Sequence, residues 1–336
     1  MKLATIRVPD AKTPTERRDG RLVVVDDEGG RVACVPEAVA PTMHAAIQDW
    51  GRVEPGLRDI DGKLKAGTWP DTRPLADCDF MAPLPRTTCW IDGSAFIQHI
   101  ILVRRARGAE PPEDLRDVPL MYQGVGDPLL GPRDPIEVAD EAYGIDFEAE
   151  VGVVLDDVPM GVLAAAAERH IKLLCIMNDV SLRNLIPREL KAGFGFFHGK
   201  PPSSFAPWYV TPDELGDAWR GGRLHLEMLT RLNGKPFGHP DAGEMFFPFP
   251  RLIEHAAKTR PLPAGTILGS GTVSNEDASV GSSCLAERRM LETISTGEAS
   301  TPFLRFGDRI EVEVLQDGRS VFGTIDQTVV RYPGPP

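Results

Sequence analysis

Short apolar runs set in polar residues open the chain, at a spacing that suits strands better than a long helix. Residues 3–8, 20–25 and 30–35 read as strands, rich in Val, Ile and Leu. Between the last two, Asp26-Asp27-Glu28-Gly29-Gly30 supplies residues that tolerate positive φ and reads as a hairpin turn. A helical stretch follows over 41–50. The run 69–85 carries Pro70, Pro74, Pro83 and Pro85 and reads as a linker. It divides a small N-terminal β domain, residues 1–75, from a larger domain, residues 76–336.

Beyond that point the pattern mixes a few helices with many strands. Over 96–106, Phe96, Ile100, Val103 and the stem of Arg107 recur at three-to-four spacing and predict a helix. The alanine-rich stretch 161–169 and the stretch 251–258 predict two more. Strands are expected over 147–155, 172–177, 224–231, 310–315 and 320–324. Strands and helices do not alternate regularly, which argues against a doubly wound parallel sheet. The fold class is α+β and rich in β structure.

Composition sharpens this picture. The 336 residues include 33 glycines and 31 prolines, well above the roughly 12% expected for both together, so turns are many and elements short. With 37 Lys+Arg against 49 Asp+Glu, the formal charge is −12, which argues against nucleic acid or an anionic membrane as partner. Any anionic small molecule must therefore be drawn in by a local group of cations. Cys34, Cys78, Cys89, Cys175 and Cys284 are odd in number and form no CxxC pair, so neither a zinc ribbon nor a disulfide framework is suggested. The N-terminus shows no signal core and no apolar run approaches a membrane span, so a reduced cytoplasm is the expected location.

The segment Asp146-Phe147-Glu148-Ala149-Glu150 leads into Val151-Gly152-Val153-Val154. On a strand, Asp146, Glu148 and Glu150 project to one side and Phe147, Ala149 and Val151 to the other. Such acids form either the solvated face of an edge strand or, at the mouth of a buried strand, oxygen ligands for a hard divalent cation. A further acid, Asp179, ends the apolar run 173–177 just before Ser181-Leu182-Arg183. It reads either as the cap of a helix beginning there or as a third carboxylate of the cation site.

These segments belong to a larger constellation. Asp146-Phe147-Glu148-Ala149-Glu150 and Met177-Asn178-Asp179-Val180-Ser181-Leu182-Arg183 come first. Gly199-Lys200 then precedes Phe205-Ala206-Pro207-Trp208, and Gly269-Ser270-Gly271-Thr272-Val273-Ser274 comes next. Gly307-Asp308-Arg309-Ile310-Glu311-Val312-Glu313-Val314 closes the series. In this order and spacing, over residues 92–330, they resemble the fumarylacetoacetate hydrolase family, whose members cleave carbon–carbon bonds in β-diketo acids. The resemblance implies a mixed β-sandwich roll for the larger domain and the family's smaller accessory β domain at the N-terminus.

It further implies Mg²⁺ or Ca²⁺, with Mn²⁺ a third candidate, held by Glu148, Glu150, Asp179 and Asp92. Asp92 is assigned because it lies seven residues before His99, the family's spacing between that aspartate and its catalytic histidine. Taken alone, His99 at a helix start would be an ordinary packing residue; the resemblance makes it the general base. Glu287 then fixes the base's tautomer, with Glu276 as a less suitable reserve in an Asn-Glu-Asp turn. Arg183 and Lys200 correspond to basic residues around the substrate's charged end and the metal, and Lys200 is also the candidate oxyanion donor. Thr272 and Tyr122 correspond to substrate contacts. One arginine among Arg104, Arg105 and Arg107 corresponds to a carboxylate-gripping group. Ser94, and Leu190 or Lys191, stand where relatives carry tyrosines, which leaves more room for substrate.

The activity implied is metal-dependent hydrolysis of a β-diketo acid of the fumarylacetoacetate or acylpyruvate type, in aromatic catabolism, by a homodimer. The rival readings are isomerisation or decarboxylation of a 2-oxo acid on the same fold, and a non-catalytic metal-binding protein. Nucleophilic catalysis by cysteine is disfavoured, since no cysteine stands beside an obvious histidine or helix start in the sequence.

Overall fold

The computed structural model describes residues 1–106 and 108–334. An eleven-stranded sheet carries both halves of the chain. Its path runs Thr72–Pro74, Arg31–Cys34, Arg21–Asp26, Lys2–Ile6, Trp208–Val210, Ile171–Asn178, Ala149–Leu155, Ile267–Gly269, Trp90–Gly93 and Met121–Gln123, with Ser204–Phe205 pairing off it. Neighbours are antiparallel except Ile267–Gly269 beside Trp90–Gly93. The N-terminal strands join the rest through Lys2–Ile6 against Trp208–Val210. A second sheet orders Lys235–Gly238, Met228–Leu232, Arg309–Gln316, Ile325–Arg331 and Ile136–Val138, with Arg319–Ser320 pairing off Arg309–Gln316.

Side-chain alternation explains how the large sheet is buried on both faces. Ala149, Val151, Val153, Leu174 and Ile176 pack in one cluster with Ile310, Val312, Val314 and Ile325 of the second sheet. Val154, Leu173, Cys175, Met177, Trp90 and Ile267 point the other way, into a cluster with Met43, Ile47, Trp50, Val53, Leu57, Ile60 and Leu64. Those last residues line the helices Met43–Gln48 and Trp50–Lys65.

Several elements differ from the sequence reading. The helix expected over 41–50 breaks at Asp49 and continues as Trp50–Lys65. Gly51, Pro55, Gly56 and Gly62 obscure that helix locally, although Trp50, Val53, Leu57, Ile60 and Leu64 keep helical spacing and are buried. The stretch read as a linker is built into the molecule: Thr72–Pro74 pairs with Arg31–Cys34, and a 3₁₀ turn comes next at Leu75–Asp77. The alanine-rich helix shrinks to Ala164–Ala167. The strand expected over 320–324 is the pair Arg319–Ser320, with a longer strand at Ile325–Arg331. No helix begins at Ser181; Ser181–Leu182 pairs with Ile145–Asp146, and the helix starts at Ile186.

One close approach inside the sheet requires a residue with no side chain. A Cβ on Gly269 would lie 2.5 Å from Trp90 Cη2 and 2.6 Å from Asp92 Oδ1, and the rigid indole cannot yield. Gly269→Ala is therefore expected to lower the unfolding free energy by about 1–3 kcal/mol, as overpacking in a filled core does. Urea denaturation of the two proteins measures this; equal midpoints and slopes would contradict the packing account.

Candidate active site

Three carboxylates meet at the end of one row of the large sheet. Glu150 precedes Gly152 and Val154 on the same face of its strand, Asp92 follows Trp90, and Asp179 follows Cys175 and Met177. Registration brings them together. Met177 pairs with Glu150, while Gly269 pairs with Gly152 on one side and Asp92 on the other. Gly269 leaves the space that the Asp92 carboxyl group occupies, and Gly152 the space filled by Met177 and Cys175. One oxygen from each of Asp92, Glu150 and Asp179 lies within 4.8 Å of the others, and all three residues are buried.

The satisfaction of these acids is uneven. Asp179 accepts from Tyr122 Oη at 2.5 Å, Lys200 Nζ at 2.5 Å and Ser203 Oγ at 2.7 Å. Asp92 Oδ1 accepts the Gly271 N–H at 3.0 Å. Both oxygens of Glu150 are buried with no hydrogen-bond partner among the described residues. An ionised carboxylate in that position is costly unless a cation meets it. Burial, then Asp92 and Asp179, push the Glu150 carboxyl well above its usual range. Burial, then Asp179, push Asp92 up to about 8. An all-oxygen donor set of this kind fits a hard divalent cation such as Mg²⁺, Ca²⁺ or Mn²⁺.

Glu148, the fourth acid of the expected ligand set, stands outside that triad. Its Oε1 accepts from Arg183 Nη2, and its Oε2 accepts from Lys200 Nζ at 2.5 Å. Burial opposes its charge, but Arg183 and Lys200 together hold it below the ordinary carboxylate range. Lys200 thus bridges Glu148 and Asp179. Burial opposes that ammonium too, and the two acids outweigh it, so its pKa is raised. Arg183, expected near the substrate's charged end, has its guanidinium against Asp146 and Glu148.

Asp146 keeps its expected place beside Glu148, since the Arg183 guanidinium meets both, but it takes no part in the Glu150 triad. The strand is interrupted at Phe147, which is fully buried against Phe237. Asp146 turns to Arg183 Nε, at 2.8 Å, and to the amides of Leu285 and Ala286, at 2.6 and 2.9 Å. Those amides begin the helix Leu285–Thr296, whose orphan N–H groups favour an anion. Glu287 sits in its first turn. Its Oε2 lies 3.1 Å from His99 Nδ1, and its Oε1 accepts from Ser274 Oγ at 2.9 Å. His99, near the start of helix Ile97–Ala106, has its other nitrogen, Nε2, 3.9 Å from Glu148 Oε1. Glu276, the reserve partner, is exposed.

Sequence reasoning missed four contributors: Asp146 as a helix-end anchor, Ser203, Ser274, and the amide of Gly271. Only the first carried a legible signal, since the run 285–294 behind Cys284 has helical character. Cys284 also corrects an expectation. It is the N-cap of that helix, and its Sγ is within 4.8 Å of a His99 nitrogen and a Glu287 oxygen. Burial, then Asp146, push its thiol well above the usual range, so it is not a thiolate nucleophile. Thr272 is buried with its hydroxyl unpartnered among the described residues. Tyr122 touches Asp179 on one side and the edge of Phe196 on the other, with ring centroids 5.2 Å apart. Of the arginine cluster, Arg104 donates to the Glu110 carbonyl, Arg105 is exposed, and Arg107 lies outside the described residues.

Raised carboxyl pKa values make stability fall with pH. The native protein holds protons on Asp92 and Glu150 that the unfolded chain releases above about pH 4, so stability declines as pH rises toward 8. In the presence of a chelator, the thermal midpoint is expected to drop over that range, and less steeply in Asp92→Asn. A divalent cation should restore the wild-type midpoint at pH 8. Identical pH profiles for wild type and variant would refute the buried-acid account.

Comparison with known proteins gives the family. The family model for the fumarylacetoacetate (FAA) hydrolase C-terminal domain matches residues 88–330, and that for fumarylacetoacetase N-terminal domain 2 matches residues 1–86. The chain is 26% identical over 237 residues to a 2,4-didehydro-3-deoxy-L-rhamnonate hydrolase of Sphingomonas sp. SKA58, covering 66% of this chain and 80% of that protein. It is 26% identical over 245 residues to the oxaloacetate tautomerase YisK of Bacillus subtilis, covering 71% of each. A maleylpyruvate hydrolase from Sphingobium sp. SYK-6, solved in complex with manganese(II) ion and pyruvate, superposes with a TM-score of 0.65 at 19% identity, over 98% of this chain and 99% of that one. With nearly its whole length matched by the two domain models, the chain belongs to the fumarylacetoacetate hydrolase family.

Proposed function

We propose that this protein is a metal-dependent hydrolase that cleaves a carbon–carbon bond in a small anionic β-diketo acid, of the fumarylacetoacetate or acylpyruvate type. The observation that carries the reading is the His99–Glu287 pair, whose second imidazole nitrogen lies 3.9 Å from Glu148 Oε1. A divalent cation held by Asp92, Glu150 and Asp179 supplies Lewis acidity toward the substrate's oxygens. The related fold solved with manganese(II) and pyruvate supports a small 2-oxo acid as ligand.

The chain's own residues have distinct tasks. Glu287, itself held by Ser274, keeps the His99 proton on Nδ1, which leaves Nε2 as the acceptor for a proton from water. The hydroxyl adds to the carbonyl carbon, the carbon–carbon bond breaks, and the expelled carbon leaves as an enolate that takes up the proton. Lys200, fixed between Glu148 and Asp179, is placed to donate to the developing oxyanion. The unpaired Thr272 hydroxyl supplies a hydrogen bond to substrate. Arg183 acts indirectly, since its ion pairs anchor Asp146 and Glu148. The same base is equipped to shift a carbon-bound proton, and a relative named as a tautomerase makes isomerisation the second reading.

A substrate panel separates these readings. Fumarylacetoacetate and several acylpyruvates should lose diketone absorbance only with metal, each giving two acids by chromatography. A single product of unchanged mass would overturn hydrolysis in favour of isomerisation. Methyl esters of the same compounds should show markedly raised KM, because attraction of the carboxylate by the bound divalent cation and Lys200 outweighs the repulsion of anions by the net charge of −12.

His99→Ala should lower kcat by about 10²–10⁴ while divalent-metal binding, read by calorimetry, persists. Glu287→Gln should lower kcat less, since the amide still holds the ring. Undiminished turnover in a His99→Ala preparation excludes this base.

A further inference from the structure

Behind the base lies a donor set of a different chemical character. One nitrogen of His99, Cys284 Sγ and one carboxylate oxygen of Glu287 lie within 4.8 Å of one another, with Cys284 and Glu287 buried. The triad Asp92, Glu150 and Asp179 offers only oxygens, whereas this second group offers nitrogen, sulfur and oxygen. We propose that His99, Cys284 and Glu287 form a second metal site, selective for Zn²⁺ and similar borderline cations, whose occupation switches off the base.

The geometry needs little adjustment. Zinc bonds of about 2.0 Å to nitrogen and oxygen at tetrahedral angles set those atoms roughly 3.3 Å apart. His99 Nδ1 and Glu287 Oε2 are 3.1 Å apart. Cys284 is already fixed as the N-cap of helix Leu285–Thr296, its sulfur accepting the Glu287 N–H at 3.4 Å. Asp146 takes the Leu285 and Ala286 amides of that helix end, so the bound cation itself supplies the charge that a thiolate there needs. Ser274 Oγ holds the other Glu287 oxygen, so one oxygen stays oriented toward the site while the second remains bonded. Thiolate and imidazole donors suit Zn²⁺ and disfavour Mg²⁺ or Ca²⁺, so the two neighbouring sites sort cations by softness.

Occupation has a defined proton balance. The Cys284 thiol loses its proton to solvent, the Glu287 carboxylate contributes one oxygen, and the imidazole proton moves from Nδ1 to Nε2. The nitrogen that faces Glu148 then carries a hydrogen and can no longer accept one from water. Binding is independent of the reaction proposed above; only its inhibitory consequence rests on that reading.

The test uses the full chain with its carboxylate site saturated with Mg²⁺. Co²⁺, a spectroscopic stand-in for Zn²⁺, should give a thiolate-to-cobalt charge-transfer band with one equivalent bound. The band should disappear on adding Zn²⁺, be absent in Cys284→Ser, and persist in Asp92→Asn. Serine preserves the helix cap, and Cys284→Ala provides a second variant should serine retain a ligand. Zinc inhibition should resist excess Mg²⁺ in wild type and weaken at least tenfold in both Cys284 variants. A band that survives in those variants, or inhibition that Mg²⁺ relieves and the variants do not alter, would overturn the proposal by placing zinc elsewhere. An intact cobalt band in a protein that turns over no diketo acid would instead sink the hydrolase reading and leave the site standing.

Discussion

Everything about this molecule's interior turns on an excess of buried carboxyl groups. Asp92, Asp146, Glu148, Glu150, Asp179 and Glu287 are all buried within one region, and the cations paired with them among the described residues are Lys200 and Arg183. Ionised carboxylates leave water only when compensated. The compensation here is divided by position. Arg183 and the helix amides settle Asp146; Arg183 and Lys200 settle Glu148; Lys200, Tyr122 and Ser203 settle Asp179. Among the described residues Glu150 has no hydrogen-bond partner, and Asp92 Oδ1 accepts the Gly271 amide. The imbalance is a demand for a cation built into the sheet.

That demand explains the architecture around it. Asp92 can sit at the end of an apolar row because its neighbour Gly269 presents no side chain there. The large sheet is covered on both faces, by the second sheet and by the N-terminal helices, so water is kept from the strands that carry the acids. The Arg183–Asp146 pair ties the acid-bearing segment to the start of helix Leu285–Thr296, and that helix presents Glu287 to His99. These contacts link the Asp146–Glu148 segment to the His99–Glu287 pair. Cys284, at the same helix start, brings sulfur within reach of the base and makes that junction chemically distinct from the oxygen triad.

Alternation and short acidic motifs are local properties, so the strand-rich class, most of the core strands and the identity of the acids are legible in the chain alone. Asp92, Glu150 and Asp179 were each visible there, as were His99 and Glu287, although for several of these the signal was resemblance rather than spacing. How the groups divide was settled only by folding. Arg183 gathers Asp146 and Glu148 on one guanidinium, and Asp146 also takes the amides of Leu285 and Ala286, 139 and 140 residues away. The meeting of Lys200 with Glu148 and Asp179 took Glu148 out of the oxygen triad, through contacts 52 and 21 residues apart in the chain. The placing of Cys284 beside His99 joins two distant parts of the chain, as does the neighbouring His99–Glu287 contact, which spans 188 residues. Charge and sulfur show in a sequence, but which charge meets which depends on strand register and helix docking, and those are set by long-range packing.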